Sequence, residues 1–370
     1  MRGKAQPQSD FFATIDINKA VPPDHPLRAI KLLVDPILKK LSPEFDVLYA
    51  DEGRPSIPPE QLLKARLLIA LFSVRSERSF CEQLGYNLLW LWFLDRQFDE
   101  GSFDASVFAK NYQRILNTDM AKLFFAEIYQ LSRDGRWTSD EHFSADGTLI
   151  ESWASLKSFT RKDGSDQQKI QSAKDDDPGN PTLDFRGEKR CNATHRSTTD
   201  PESVLYKKAA GKEARLYFGG HILMENRNGL CADFTIHNPI TESESQVALL
   251  QIKEHKKIYQ GTNPKTLGAD KAYHQKRFVE GCRKQGISPH AACKDKVTIE
   301  GLDARTTTKS GYKLSLKIRK RIEEIFGWIK TVGGLRRSRY RGIERTQAIG
   351  YMVAGAYNLL RLAKLGAKPC

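Results

Sequence analysis

Residues 319–330 read RKRIEEIFGWIK, and this stretch carries the most information about the fold and chemistry of the chain. On an α-helix, the positions four and eleven residues after Arg319 return to nearly the same face. Arg319, Glu323 and Lys330 would therefore form one polar stripe, with a single carboxylate between two cations. An apolar seam runs beside the stripe at helical spacing: Leu314, Ile318, Ile322, Ile325, Ile329 and Val332. The pattern predicts one long helix that packs on a core and presents its carboxylate.

Two interpretations of this helix remain open from its own residues. It could be an ordinary amphipathic helix, in which Arg319 and Glu323 pair at spacing i, i+4. It could also use its carboxylate to hold a metal ion against a phosphate backbone. Glu324 is the alternative carboxylate, but it would lie about 140° from Arg319 around an ideal helix, off the polar stripe.

The composition narrows the class of protein. The 370 residues suffice for two domains, and 39% hydrophobic residues allow a sizeable core. The net charge of +14 favours a polyanionic partner, most commonly nucleic acid. No apolar run approaches the length of about 20 residues that spans a bilayer, and the N-terminus lacks a secretion signal, so we expect a cytoplasmic protein without a membrane partner. The six cysteines form no Cys-x-x-Cys pair, so we expect reduced, mostly buried thiols and no structural zinc.

Residues 1–140 are predicted to form a mostly helical N-terminal domain. The predicted helices are one opened by Pro58-Pro59-Glu60 that runs through Phe72, one from Glu77 to Leu84, and the segments Asn87–Leu94 and Phe103–Leu116. Either Ser76 or Ser79 could cap the second helix. Short helices of this kind suit a helix-turn-helix-like DNA-binding module and a plain bundle equally well.

From about residue 141 the pattern changes to strands that alternate with helices. The predicted strands are His142–Glu151, Leu216–Glu225, Leu230–His237, Lys265–Ala269 and Ile287–Ala292, and the other predicted helices are Ser243–Tyr259, His274–Gln285 and Ala348–Leu362. A polar insert near 158–212 follows the first strand, and its part Gln167–Pro181 has the composition of a disordered loop. This order predicts an α/β fold with a mixed sheet flanked by helices.

Three carboxylates lie where such a sheet could gather them. Asp146 is in the first strand, Asp270 follows a short strand, and Glu323 is on a helix that can pack beside both. Carboxylate oxygens suit Mg²⁺, and two such ions about 3.5–4 Å apart can promote phosphodiester displacement. Each aspartate also has a simpler interpretation, since Asp146 could begin a turn and Asp270 could cap the helix near His274.

The motifs resemble those of bacterial insertion-sequence transposases of the DDE type, whose catalytic domain is RNase H-like. They are ADGT at 145–148, GADKAY at 268–273, and Arg319-x3-Glu323-x6-Lys330. In one large group of these enzymes a Tyr lies three residues before the Arg, where this chain has Leu316. Further similar segments, at 26–28, 53–71, 103–116, 197–201 and 220–221, extend the resemblance over nearly the whole chain.

The resemblance implies the roles of particular residues. Asp146, Asp270 and Glu323 would be the catalytic, metal-binding residues, with Mg²⁺ (or Mn²⁺) as a pair of ions. Arg319 and Lys330 would position the DNA backbone or terminal phosphate. The RNase H-like catalytic domain would cover residues 141–365, after an N-terminal domain that binds DNA ends.

The resemblance also implies partners and a location. The partner would be double-stranded DNA, both the terminal inverted repeats of the element and the target. The protein would act as a homodimer on DNA, since two ends must be held together, in the bacterial nucleoid.

A basic segment follows the predicted catalytic helix. Residues 311–345 hold eleven Lys or Arg against three Glu. The guanidinium groups suit phosphate oxygens, so we expect salt-dependent DNA contact from Arg336, Arg337, Arg339 and Arg341. A solvated charged face is the simpler alternative. Among the histidines, His274 could reach the site from its place four residues after Asp270.

The preferred hypothesis is a transposase that cleaves DNA at element ends and joins a freed 3′-hydroxyl to target DNA. One alternative is an RNase H-like nuclease that uses the same carboxylates without strand transfer. Another is a non-catalytic DNA-binding protein derived from a transposase, against which the intact Asp, Asp, Glu set argues.

Overall fold

The computed structural model describes residues 16–50, 52–53, 55–163, 190–207, 213–293 and 304–366. The loop predicted at Gln167–Pro181 lies outside these residues. In the described part of the chain, no helix is both long and apolar enough to cross a membrane.

The first part of the chain is helical, as predicted. Its helices are α1 (Ile17–Ala20), α2 (Pro26–Lys40), α3 (Ser42–Asp46), α4 (Pro59–Leu71), α5 (Glu77–Leu84), α6 (Leu88–Phe93), α7 (Ala105–Leu116) and α8 (Met120–Asp134). Ser76, rather than Ser79, caps α5, because its side chain accepts a hydrogen bond from the backbone N–H of Ser79 at 3.0 Å. Aromatic residues fill the core of this part: Trp90 stacks on Phe80 at 5.2 Å between ring centroids, and both are buried.

The second part of the chain contains the strands. They are β1 (His142–Glu151), β2 (Phe159–Arg161), β3 (His195–Ser197), β4 (Val204–Lys207), β5 (Ala214–Glu225), β6 (Cys231–His237), β7 (Thr266–Ala269) and β8 (Ser288–Ala291). Strands β2 to β4 lie in the polar insert, where no strand was predicted, and β2 and β3 form a separate two-stranded sheet.

The main sheet has β1 at its centre. Strand β5 pairs antiparallel with β1 on one side, and both β6 and β4 pair with the far edge of β5. On the other side β1, β7 and β8 run parallel. Leaving the short β4 aside, the order from edge to edge is β6, β5, β1, β7, β8. The predicted fold class, an RNase H-like mixed sheet flanked by helices and preceded by helices, is confirmed.

In the described part of the chain, six further helices follow β6 and pack around the sheet. They are α9 (Glu244–Ile258), α10 (Lys276–Lys284), α11 (Ala304–Thr307), α12 (Ser310–Arg319), α13 (Ile322–Thr331) and α14 (Ile343–Lys364). Helix α14 is the closing helix of the prediction, but it begins five residues earlier than Ala348, directly after Gly342 at a φ of 85°. Its buried side chains join the sheet to the N-terminal helices in one hydrophobic core.

The prediction of one long helix around residues 319–330 is wrong, because the structure has two helices there, α12 and α13. At their junction, the N–H groups of Arg321, Glu323 and Glu324 each bond to the carbonyl three residues earlier. Such bonds tighten the turn and change the angle between positions on either side of it. Arg321 fixes the junction, because its guanidinium donates to the carbonyls of Arg227 and Asn228 in the turn between β5 and β6.

The break also divides the predicted apolar seam. Ile322, Ile325 and Ile329 of α13 are buried as predicted, whereas Leu314 of α12 is 57% exposed. Tyr312 is buried on α12 instead. The helix predicted from His274 begins at Lys276, after a 3₁₀ turn at Lys271–Tyr273. The five described cysteines are free thiols, and three of them are buried.

Candidate functional site

Asp146 lies in the middle of β1, so the simpler interpretation as a turn residue is wrong. Its side chain is 12% exposed and accepts two hydrogen bonds. The backbone N–H of Gly147 donates to Oδ1 at 2.9 Å, and Nη1 of Arg319 donates to Oδ2 at 2.9 Å. Arg319 therefore pairs with Asp146 of the sheet, and the predicted pair of Arg319 with Glu323 is replaced by a contact that joins α12 to β1.

Asp270 follows the last residue of β7, next to β1. The parallel register pairs Ser144 with Gly268, and Asp146 and Asp270 each lie two residues beyond that pair, near enough for the charge of Asp270 to raise the pKa of Asp146. The Asp270 side chain accepts a hydrogen bond from the N–H of Ala272 at 2.7 Å and so caps the 3₁₀ turn. The capping interpretation is correct, although the capped element is this turn, and capping uses only one of the two carboxylate oxygens.

Two side chains on one face of β1 contact cationic groups of the neighbouring helices. Alternate side chains point to opposite faces of a strand, so Asp146 and Thr148 share one face. Arg319 at the end of α12 binds Asp146, and the ammonium group of Lys330 on α13 donates to the hydroxyl of Thr148. The two cations predicted to flank a carboxylate therefore both contact β1 on the face that bears Asp146.

Glu323 lies in the first turn of α13 and is exposed. It is seven residues before Lys330, which is two helical turns, so the two residues lie on the same face of α13. Since Lys330 contacts Thr148, that face looks toward β1. Glu324 points elsewhere, because its carboxylate is 3.7 Å from Nη1 of Arg361 on α14. Glu323, rather than Glu324, therefore lies on the face of α13 that carries Lys330.

The charge of Asp146 is held in an unfavourable environment. Burial raises the pKa of the Asp146 carboxyl to about 7, and the bonds from Gly147 and Arg319 oppose that rise. The nearby negative charges of Asp270 and Glu244 raise this pKa further. A buried carboxylate beside others of the same sign gains strongly from a bound cation.

A divalent metal ion is implied by the resemblance, and the residues fit it in part. Asp146 and Asp270 supply oxygen donors on adjacent strands, which suits Mg²⁺ or Mn²⁺ better than a softer metal. Within the residues that the structure describes, no three Asp, Glu, His or Cys side chains form a cluster that could hold one ion. The structure therefore brings the two aspartates together and leaves Glu323, on the neighbouring helix, outside such a cluster.

The four arginines predicted to contact DNA, Arg336, Arg337, Arg339 and Arg341, lie on the surface, but they differ in their contacts. Arg337 donates to the carbonyls of Ser152 and Trp153, at 3.1 Å and 2.8 Å, and Arg339 donates to the carbonyl of Val74 at 3.2 Å. The side chains of the other two, Arg336 and Arg341, have no hydrogen bond or ion pair within the described ranges.

Sequence reasoning missed Glu244, His221 and Tyr273 near this site. The Glu244 carboxylate covers the opposite face of β1, where a Cβ on Gly147 would lie only 2.4 Å from Glu244 Oε1. His221 is buried and bonded to Tyr273, close behind Asp270. The sequence signal for Tyr273 was its place in the GADKAY motif, but no local pattern indicated a partner 52 residues away. His274 is buried in the same region.

Two models of protein families match the chain. A model described as a transposase domain matches residues 15–114, and one described as a transposase DDE domain matches residues 192–359. Together they cover most of the chain, and the second contains both Asp270 and Glu323. It begins after β1, so the assignment of Asp146 depends on the geometry. No curated protein matches the chain in sequence.

Solved structures give weaker similarity. A piggyBac transposase synaptic complex with hairpin DNA aligns at 9% identity and a TM-score of 0.41, over 93% of this chain and 77% of that chain. A pre-cleavage Mos1 transpososome aligns at 7% identity and a TM-score of 0.20, over 85% and 82%. These scores are too low to support an argument, so the family depends on the two models, both of which are of transposase domains. The chain therefore belongs to the DDE transposases, enzymes that cleave DNA and transfer the cut strand to a target.

Proposed function

We propose that Asp146, Asp270 and Glu323 hold the divalent metal ions of this transposase, Mg²⁺ or Mn²⁺, as a pair. The observation that carries the proposal is the position of the two aspartates, one in β1 and one directly after the neighbouring β7, next to the helix face that bears Glu323 and Lys330. Glu323 is the third ligand, because α13 lies on the Asp146 face of β1 and Glu324 is paired with Arg361.

Each residue has its own role in the chemistry. The bound ions would lower the pKa of the attacking water or 3′-hydroxyl and stabilise the leaving oxygen. Asp146 and Asp270 fix the ligand positions from the rigid centre of the sheet, and Glu323 approaches from the helix. Arg319 and Lys330 bring positive charge to the same face, where they orient the scissile phosphate.

The chain also has surfaces for binding DNA. Arg336 and Arg341 are exposed in a basic segment that adjoins the end of β1, since Glu151 and Arg337 form a β-bridge. Phosphate contacts there would hold the duplex across the site. We assign residues 1–140 to DNA-end binding and 141–365 to catalysis. The substrates are the terminal inverted repeats of an insertion sequence and its target, bound by a homodimer in the cytoplasm at the nucleoid.

A cleavage and strand-transfer assay tests the metal site. The assay uses purified full-length protein, Mg²⁺, end-labelled candidate terminal repeats and a supercoiled target plasmid. Wild-type protein is expected to give products joined to the target, and Asp146→Asn, Asp270→Asn and Glu323→Gln to give shifted but uncut DNA.

Other outcomes of the assay lead to different conclusions. Wild-type activity in any one of the three variants would remove that residue from the site. Cut ends that are never joined would favour the nuclease alternative, and bound but uncut DNA with wild-type protein would favour the non-catalytic one.

A further inference from the structure

A buried chain of hydrogen bonds runs behind the site, on the face of the sheet opposite Asp146. His221 of β5 is paired with Gly147 in the register of β1 and β5 and is fully buried. Its Nε2 is 2.5 Å from the hydroxyl of Tyr273, and its Nδ1 is 2.7 Å from Oε1 of Gln251 on α9. Gln251 in turn donates from Nε2 to Oδ2 of Asp233 at 2.8 Å.

The partners of Gln251 determine which atom donates and which accepts in each of these hydrogen bonds. Its amide nitrogen donates to Asp233 and to the backbone carbonyl of His221, which accepts only. Its oxygen must then accept, so Nδ1 of His221 carries the proton. Burial lowers the pKa of His221 to about 3, so the ring is neutral at physiological pH and Nε2 is an acceptor. The Tyr273 hydroxyl therefore donates to Nε2.

Tyr273 closes the 3₁₀ turn that Asp270 opens. The N–H of Tyr273 bonds to the carbonyl of Asp270 at 3.3 Å, and the Asp270 side chain accepts from the N–H of Ala272. The Tyr273 ring is 1% exposed and packs edge-on against Phe278, with ring centroids 5.3 Å apart. Tyr273 is the buried residue of this three-residue turn, and its bond to His221, together with its packing on Phe278, holds the turn against the core.

We propose, on the basis of the metal site proposed above, that His221 and Tyr273 are positioning residues that hold Asp270 close to Asp146. Neither residue touches the metal or the DNA. His221 offers a fixed acceptor on β5, and Tyr273 transfers that constraint through three residues of turn to the carboxylate. Loss of the Tyr273 hydroxyl would let the turn shift and would lower the affinity of the two aspartates for a cation. The loss of residues that orient metal ligands has the same effect at other metal sites.

Tyr273→Phe tests this role, because it removes the hydroxyl and keeps the ring. The matched control is Tyr357→Phe, which removes another buried hydroxyl, one that donates to the carbonyl of Gly229 at 3.2 Å. Both variants lose one buried hydrogen bond, so both should lower the melting temperature slightly. The discriminating measurement is Mn²⁺ affinity without DNA, by calorimetry and electron paramagnetic resonance on the full-length protein, with Asp270→Asn for reference.

Tyr273→Phe is expected to weaken Mn²⁺ binding by about 10-fold, whereas Tyr357→Phe binds as the wild type does. Equal affinity in wild type and Tyr273→Phe, while Asp270→Asn loses binding, would overturn the positioning role and leave the metal site intact. Equal binding in wild type and Asp270→Asn would overturn the metal site itself, and the positioning role with it.

A second readout follows the His221 ring in metal-free protein. In ¹⁵N-histidine-labelled protein, Nδ1 is expected to carry the proton, and Nε2 should give the shift of a hydrogen-bonded acceptor. In Tyr273→Phe the Nε2 signal should move and the Nδ1 signal should remain. A proton on Nε2 in the wild type would contradict the hydrogen bond from the Tyr273 hydroxyl to His221, and with it the positioning role of the two residues.

Discussion

The pairs Arg66–Glu77 and Arg319–Asp146 join the same two chemical groups, at 2.6 Å and 2.9 Å, and both are largely shielded from water. Around Arg66 the partners are complementary. The Tyr340 hydroxyl donates to the same Glu77 oxygen at 2.5 Å, and the guanidinium lies 4.0 Å from the centre of the Tyr112 ring. These contacts raise the pKa of Arg66 despite its burial, so its charge is stabilised where it lies.

The surroundings of Asp146 are the reverse. Its pKa is raised by burial, and its further charged neighbours, Asp270 and Glu244, carry the same sign. The Arg66 cluster links α4 and α5 to the segment after α13 and serves the fold. The environment of Asp146 disfavours the negative charge of its carboxylate, so a bound cation would stabilise that charge. The neighbours of a carboxylate–guanidinium pair, more than the pair itself, therefore decide whether it contributes stability or function.

The largest expected effect falls on activity at the Asp146 site. Asp146→Asn, Asp270→Asn and Glu323→Gln each remove one charge from the proposed metal site and keep the shape of the side chain. We expect each to lower the cleavage rate by about 1000-fold or more, with DNA affinity within a few-fold of wild type. Single-turnover cleavage and a mobility-shift assay measure the two quantities. Glu324→Gln is the matched control, and a loss of cleavage there as large as in Glu323→Gln would reverse the choice between the two glutamates.

The next effect falls on stability at the Arg66 cluster. Arg66→Met keeps the length of the side chain but leaves Glu77 and Tyr340 without their cation. We expect the free energy of unfolding to fall by about 3–5 kcal/mol, since one partner of a buried ion pair is removed. Urea denaturation measures it. Arg78→Met, which breaks an exposed pair with Glu82, should change it by less than about 0.5 kcal/mol. A similar loss of unfolding free energy in Arg66→Met and Arg78→Met would show that the buried Arg66 cluster does not stabilise the fold more than an exposed ion pair does.

A smaller effect of opposite sign is expected when Asp146→Asn is unfolded without metal. The folded pKa of Asp146, about 7, lies above the unfolded value of 3.8. The protonated form therefore favours the fold, and that stabilisation is complete below pH 3.8 and is lost as the pH rises through 7. Asn imitates the protonated form, so at pH 8 in EDTA it should raise the free energy of unfolding by about 1–3 kcal/mol. A gain that persisted unchanged at pH 4 would rule out this cause.

The smallest effects are expected for two arginines of the basic segment, which differ in whether the side chain has a partner within the protein. Arg336 is exposed, whereas Arg339 donates to the carbonyl of Val74 and so ties the segment to the N-terminal helices. Arg336→Ala should weaken DNA binding several-fold and reduce the slope of log affinity against log salt by about 1. Arg339→Ala should also lower the melting temperature. Fluorescence anisotropy across a salt series measures the slope, and an unchanged slope in Arg336→Ala would exclude a phosphate contact there.

Much of the fold could be predicted because its signals are local. The strands β5 and β6, on either side of residues 226–229, and the capped helix α5 each depend on residues close in sequence. The break between α12 and α13 could not be predicted, because Arg321 is held by carbonyls more than 90 residues earlier. Strands β2 to β4 were not predicted because they have 3, 3 and 4 residues, too few to show a clear alternating pattern.

The candidate site divides in the same way. The identity and order of the carboxylates and cations can be read from the sequence, because motif spacing is a property of the linear chain. The contacts of Arg319 with Asp146, of Glu324 with Arg361 and of His221 with Tyr273, and the proximity of Asp270 to Asp146, arise only in the folded protein. Each of these contacts joins residues from separate elements, and their geometry is set by strand register and helix packing, which no local pattern encodes.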